Sequence, residues 1–330
     1  MKAVTAVVLG AAVWALLAHA SPSAEVFAPG VISDDREQYR ITFTPSGDTA
    51  YFAAGDGFFP MTREASIYFS VRVGGEWQPP ELAPFSGHHP DIDPFITPDG
   101  RRLYFSSIRP RGNEPEPPIH GAPQDPVDIW MVERRGEGWS EPVRVPVGTP
   151  FDDLYPSVDR EGNLYFATQM PRAEGDDTWN IWVARRTGEG FADPEPLTGH
   201  LNTSEHWEFN PAISSDGRRL VFTRLNPSDA VATGLGELHV SFLRDGTWSE
   251  ARNLGPPVNT ELDEYHPSFS PDGATLYFVR RDPFEDHPNG DLYRIPVAAL
   301  EDRLRTPDTP AGEWEGGQRS PRGGDADRGG

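Results

Sequence analysis

Five short stretches of the chain space polar residues two apart: Gln38-Tyr39-Arg40-Ile41, Asp91-Ile92-Asp93-Pro94, Asp153-Leu154-Tyr155-Pro156, Glu208-Phe209-Asn210-Pro211 and Glu264-Tyr265-His266-Pro267. In an extended strand the first and third residues of each stretch share a face. Gathered around a channel, the first positions would form a ring of Gln38, Asp91, Asp153, Glu208 and Glu264. The third positions would form a deeper ring of Arg40, Asp93, Tyr155, Asn210 and His266. Opposed carboxylates ~5–10 Å apart can cleave a glycosidic bond. Carboxylates with imidazoles can hold a divalent cation, and His88, His89, Asp91 and Asp93 are the densest such group, although their spacing matches no established metal signature. The plainer role for these acids is to accept hydrogen bonds from neighbouring backbone in a narrow space. The second ring is the more varied and is therefore the better carrier of specificity.

Each stretch runs into one repeated phrase: Phe43-Thr44-Pro45-Ser46-Gly47, Ile96-Thr97-Pro98-Asp99-Gly100, Val158-Asp159-Arg160-Glu161-Gly162, Ile213-Ser214-Ser215-Asp216-Gly217 and Phe269-Ser270-Pro271-Asp272-Gly273. Asp and Gly there suit a tight hairpin, so these aspartates read as turn residues. An apolar run such as Leu103-Tyr104-Phe105 follows, then a variable loop and a third run such as Asp128-Ile129-Trp130. Trp77, Trp139, Phe191 and Trp248 occupy one equivalent position at the next turn and read as structural. Each unit is a four-stranded meander with two apolar faces, and stacking such sheets radially buries both. The sequence predicts an all-β propeller of five blades, with six as the alternative. Its last unit ends at Pro296 without a fourth strand, and Glu25–Pro29 is expected to supply it.

The repeated Pro-Asp-Gly phrase, the aromatic pair after it and the Asp-Ile-Trp strand resemble the WD40-like propeller repeats of the TolB family, over roughly residues 24 to 297. That resemblance implies a periplasmic or secreted β-propeller. The best-known family member has six blades and a separate N-terminal domain, neither of which is read here. Similar repeats also accompany serine peptidases, but the chain has no Gly-x-Ser-x-Gly elbow.

Composition narrows the partners. Fifty-one acidic against 29 basic residues give a formal charge of −22, which argues against nucleic acid and anionic membrane surfaces. With no cysteine there is no disulfide, thiol nucleophile or lipidated cysteine. Met1-Lys2, the apolar run Ala3 to Leu17 and Ala18-His19-Ala20 read as a cleavable export signal over residues 1–20, too short to span a membrane stably. The propeller is assigned to 21–300, and the Gly-, Pro- and Arg-rich stretch 301–330 to a disordered tail. The expected location is periplasmic or secreted.

In a meander of this kind the inner strands start on the face that carries the long loops, Gly55 to Ala65, Arg109 to Val127 and Asp282 to Gly290 with His287. Variable loops, aromatics such as Phe58-Phe59 and Trp207, and acids converging on one mouth make it the expected binding surface. The favoured reading is a non-enzymatic binding or scaffold module for a protein, peptide or glycan of the cell envelope, with no cofactor assigned and a divalent metal left open. The alternative is a carbohydrate-active hydrolase or metal-assisted lyase using the acid ring.

Overall fold

Tight turns with glycine in the left-handed region close the first hairpin of every unit, at Gly47, Gly100, Gly162, Gly217 and Gly273. Their aspartates serve the turn itself: Asp99 accepts from the Thr97 hydroxyl (2.6 Å) and the Arg101 N–H (3.0 Å), and Asp272 from Ser270 and Ala274 likewise. A computed structural model describes residues 23–111, 126–173, 176, 178–188, 190–226, 230–231, 235–284 and 289–304. The expected export signal, His287, most of the loop after Arg109 and the stretch after Leu304 lie outside them.

Five antiparallel sheets form a ring, which makes this a five-bladed β-propeller and sets the six-bladed alternative aside. The inner strands are Glu37–Phe43, Asp91–Ile96, Asp153–Val158, Trp207–Ile213 and Asp263–Phe269, in blades 1 to 5. Each pairs with the strand after its tight turn, and that strand with a third. In blade 5 the outermost strand is Glu25–Val26, with Glu25 opposite Arg294 and Val26 opposite Tyr293, and the Phe27 N–H donates to Leu292 at 2.7 Å. The ring therefore closes through the segment expected to close it.

Five apolar clusters fill the five interfaces between blades. Tyr51 and Ile67 of blade 1 meet Leu103 and Phe105 of blade 2, for example. Trp77, Trp139 and Phe191 pack against these clusters and Trp248 lies within one, in keeping with a structural role. Trp139 also donates its indole N–H to the Tyr51 hydroxyl at 3.1 Å. The packed chain continues through a helical turn, Glu301–Leu304, with Leu304 buried in the blade 4–5 cluster, so the expected boundary at 300 falls short. Among the described residues no helix is long and apolar enough to cross a membrane.

One local feature departs from the alternation expected of the inner strands. Every inner strand carries a bulge after its second or third residue, where the register to the next strand shifts. In four blades a bulge residue is left-handed without being glycine: Asp93 (φ 57°), Tyr155 (64°), Asn210 (51°) and His266 (51°). A bulge re-aims side chains, so the two expected rings do not face the channel in parallel tiers.

Candidate functional site

The first-ring acids are fully buried and bonded within their own blades. Glu208 accepts from the Thr203 N–H (3.0 Å), the Thr203 hydroxyl (2.9 Å) and Arg224 (2.9 Å). Glu264 repeats this with Thr260 and Arg280, and Asp91 with Ser86, Ser107 and Arg109. The arginines lie over Phe222, Phe278 and Phe105 and donate onward to carbonyls of the connector between blades. Each acid thus clamps a connector to the second strand. A buried carboxylate is tolerable in this setting because a cation and two or three donors replace its water. Asp153 has Thr149 and Thr168 around it but no arginine among its hydrogen-bond partners, and burial pushes its carboxyl up to about 6. Burial also pushes Glu208 up, to about 7, against its donors. Gln38 breaks the pattern, donating instead to Asp34 and the Arg36 carbonyl.

The second ring makes the closure of the channel. Arg40, with no exposed surface, crosses it and donates to the Pro156 carbonyl at 2.7 Å and the Pro211 carbonyl at 2.8 Å, joining blade 1 to blades 3 and 4. Burial lowers its pKa to about 10, opposed by the negative charge of Asp93. Asp93 lies 2.9 Å from Nδ1 of His266, whose pKa burial pulls down. The Asn210 amide nitrogen sits 3.2 Å from the same Nδ1, while its oxygen accepts from Thr223 and the His266 N–H.

Above Arg40, at the loop-bearing mouth, opens a cup of about 340 Å³. From the second ring, Tyr155, Asn210 and His266 line it; of the first ring, none does. The middle residues of the inner-strand stretches take their place: Tyr39, Ile92, Phe209 and Tyr265. Phe58 and Phe59 from the blade 1 loop, Trp179 and the partly exposed Trp207 complete the wall. The rings touch in a chain centred on His266, with Tyr265, Tyr39 and Tyr155 at 4.9, 5.5 and 5.6 Å between centroids. Beyond them, Tyr155 meets Phe209 (5.9 Å) and Trp179 (6.4 Å), and Tyr265 meets Phe58 (6.2 Å). Tyr39 is committed through its hydroxyl to Gly57 and Phe59, and Tyr265 to Glu37, so both present mainly ring surface.

Asp263 is the carboxylate among the lining residues described; it accepts from the Gly236 N–H at 2.8 Å, and burial raises its pKa. Asp263 does not stand out in the sequence because the bulge changes which inner-strand residues face inward, and Trp179 because it lies just before the third strand of blade 3, Asn180–Ala184. Glu37, beside Gln38, is a second acid the spacing argument passes over; it is fully buried, bonded to Tyr265 and to the Gly290 N–H. Of the metal candidates, Asp91 is held in its clamp and Asp93 at His266, while His88 is exposed and packs edge-on against His89. No group of three His, Asp or Glu side chains placed to hold a metal occurs among the described residues.

A second cup of about 260 Å³ opens on the opposite, tight-turn face, lined by Arg40 and by Phe43, Phe95, Ile213 and Phe269 among others.

No protein-family model and no curated protein matches the chain. Solved structures do. A glycoside hydrolase superposes with a TM-score of 0.52 at 10% identity, over 83% of this chain and 91% of that one. An α-L-arabinofuranosidase from Lactobacillus brevis gives 0.49 at 17% identity (82% and 94% covered), and a TolB-like protein from Agrobacterium tumefaciens 0.47 at 16% (76% and 72%). At such identities the likeness is one of fold, and the fold is the β-propeller.

Proposed function

We propose that this chain is a non-catalytic binding or scaffold module that works outside the cytoplasm and takes a group of a protein, peptide or glycan into the aromatic cup at its loop-bearing mouth. The observation that carries this reading is the pairing of a closed channel with an aromatic cup: Arg40 seals the ring, and the acids that could do chemistry are tied to connectors. Aromatic walls with a few polar groups on the floor hold a ligand and orient it. Residues 1–20 fit this setting as an export leader.

Glycoside cleavage, the activity named for one structural neighbour, needs two carboxylates facing one another across the substrate. The described lining of the cup offers Asp263 alone, with Asp93 behind His266. The proposal is tested by titrating the protein with a panel of cell-wall oligosaccharides and envelope-derived peptides, following tryptophan fluorescence. Trp179 and Trp207 line the cup, so saturable quenching that Trp207→Ala abolishes supports it. Turnover of glycoside substrates that Asp263→Asn removes would replace it with the hydrolase reading.

A further inference from the structure

We infer that the cup selects an organic cation bearing N–H groups, a guanidinium or alkylammonium head, over a neutral group of the same shape. This rests on the binding reading above and specifies its ligand. Three observations converge on it. First, the walls are π faces in mutual contact around His266, and a ring face attracts a cation, most strongly where water is excluded. Arginine does this within the fold already: Arg281 lies 4.4 Å over the Phe58 ring.

Second, the polar groups of the cup include a strong acceptor. Asp263 lines it with a carboxylate that takes one backbone N–H at Oδ1. The Nδ1 of His266 faces the carboxylate of Asp93 at 2.9 Å, closer than the Asn210 amide at 3.2 Å. Third, the cations already near are committed. Arg40 is spent on two carbonyls beneath, and Arg281, opposite Asp263 in the sheet, sits between Phe58 and Glu37 (3.6 Å), from where its charge partly offsets the effect of burial on Asp263. The excess of acid over base in the whole chain favours the approach of such a cation.

The experiment compares Nα-acetyl-arginine amide with Nα-acetyl-citrulline amide, which keeps the shape and loses the charge. Agmatine, a free guanidine, is run beside them, and chitobiose and xylobiose serve as neutral ring ligands. Binding to the full chain is read by tryptophan fluorescence and calorimetry. The expected result is at least tenfold tighter binding of the arginine probe than of the citrulline probe. Asp263→Asn should erase most of that ratio, with the melting temperature retained to show that the variant is folded. Comparable binding of agmatine assigns the recognition to the head group of a free amine or guanidine, whereas binding of the amide probe alone assigns it to a peptide side chain. Equal affinity for both amides, or saturable binding of the disaccharides alone, overturns the cation inference and leaves the binding module standing. If none of these probes, and no member of the oligosaccharide and peptide panel, binds at the cup, the binding reading falls too.

Discussion

Replacing Arg40 by methionine keeps most of the side-chain length and removes the bridge across the channel. Two charged hydrogen bonds are lost, at 2.7 and 2.8 Å, and the carbonyls of Pro156 and Pro211 lose those partners. Asp93 also loses the opposing charge of Arg40. Removing one partner of a buried charge pair costs about 3–5 kcal/mol. For a domain of this size each kcal/mol moves the melting temperature by about 2–4 °C. The variant should therefore melt on the order of 10 °C lower. Arg40→Lys keeps a charge but not the planar fork that reaches two carbonyls, and should fall between the two. Adding Asp93→Asn to the methionine variant removes the stranded charge, so the pair should recover about 1–3 kcal/mol of the loss. Urea and thermal unfolding of the four proteins measure these differences. Methionine at 40 with unchanged stability would refute the picture of a channel held shut by a buried cation.

Two further predictions concern closure and pH. Phe27 packs on Phe43, Trp77 and Tyr277 at 6.0, 5.7 and 5.1 Å, so Phe27→Ala should cost about 3–5 kcal/mol and expose the edge of blade 5, read as a lower melting temperature with aggregation on heating. Asp153, pushed up by burial to about 6, binds its proton more tightly folded than unfolded. Its contribution to stability is then fully present below about pH 4 and is lost as pH rises through 6, by roughly 3 kcal/mol. Asp153→Asn should remove that slope, and parallel stability–pH curves for the two proteins would contradict the assignment.

The blade count and the closing strand could be read from the chain because both follow from backbone chemistry. Glycine at each turn needs its left-handed conformation, and an unpaired third strand around Leu292 needs a partner. The site was legible only in part. Strict alternation put Asp91 and Asp93 on one face, but the bulge separates them into a connector clamp and a contact with His266. A clue was present: Asp, Asn and His tolerate the left-handed region better than most residues. Asp93, Asn210 and His266 hold that position in three blades, although Tyr155 in the same place hides the rule. The aromatic cup was legible in part: Phe58, Phe59 and Trp207 lie in segments expected at the mouth, but Trp179 and Tyr265 join them from other blades only once the ring closes.

Blade 3 shows what the clamp does, because it lacks one part of it. In blades 4 and 5 the arginine stands directly opposite the glutamate, Arg224 to Glu208 and Arg280 to Glu264, with a phenylalanine two residues before it as a platform. In blade 3 Thr168 stands opposite Asp153, yet Phe166 is present and fully buried at the platform position. Thr149 supplies the connector donors as Thr203 and Thr260 do. Replacing Asp153 by Glu and Thr168 by Arg together would complete the clamp. A cation at that distance favours the ionised carboxylate, yet burial still pushes Glu208, which has the full clamp, up to about 7. The double variant should therefore lose about 1–3 kcal/mol less stability between pH 4 and 7 than Asp153→Glu alone. The larger side chains enter a packed site, and overpacking costs about 1–3 kcal/mol at every pH. The change in slope is therefore the informative quantity, and the absolute stability is not. Thr168→Arg alone, paired with the shorter aspartate, should show a smaller effect of the same sign. If the double variant folds and loses as much stability with pH as Asp153→Glu alone, the arginines of the other blades are not what holds their glutamates in place, and the clamp is carried by the threonine and backbone donors.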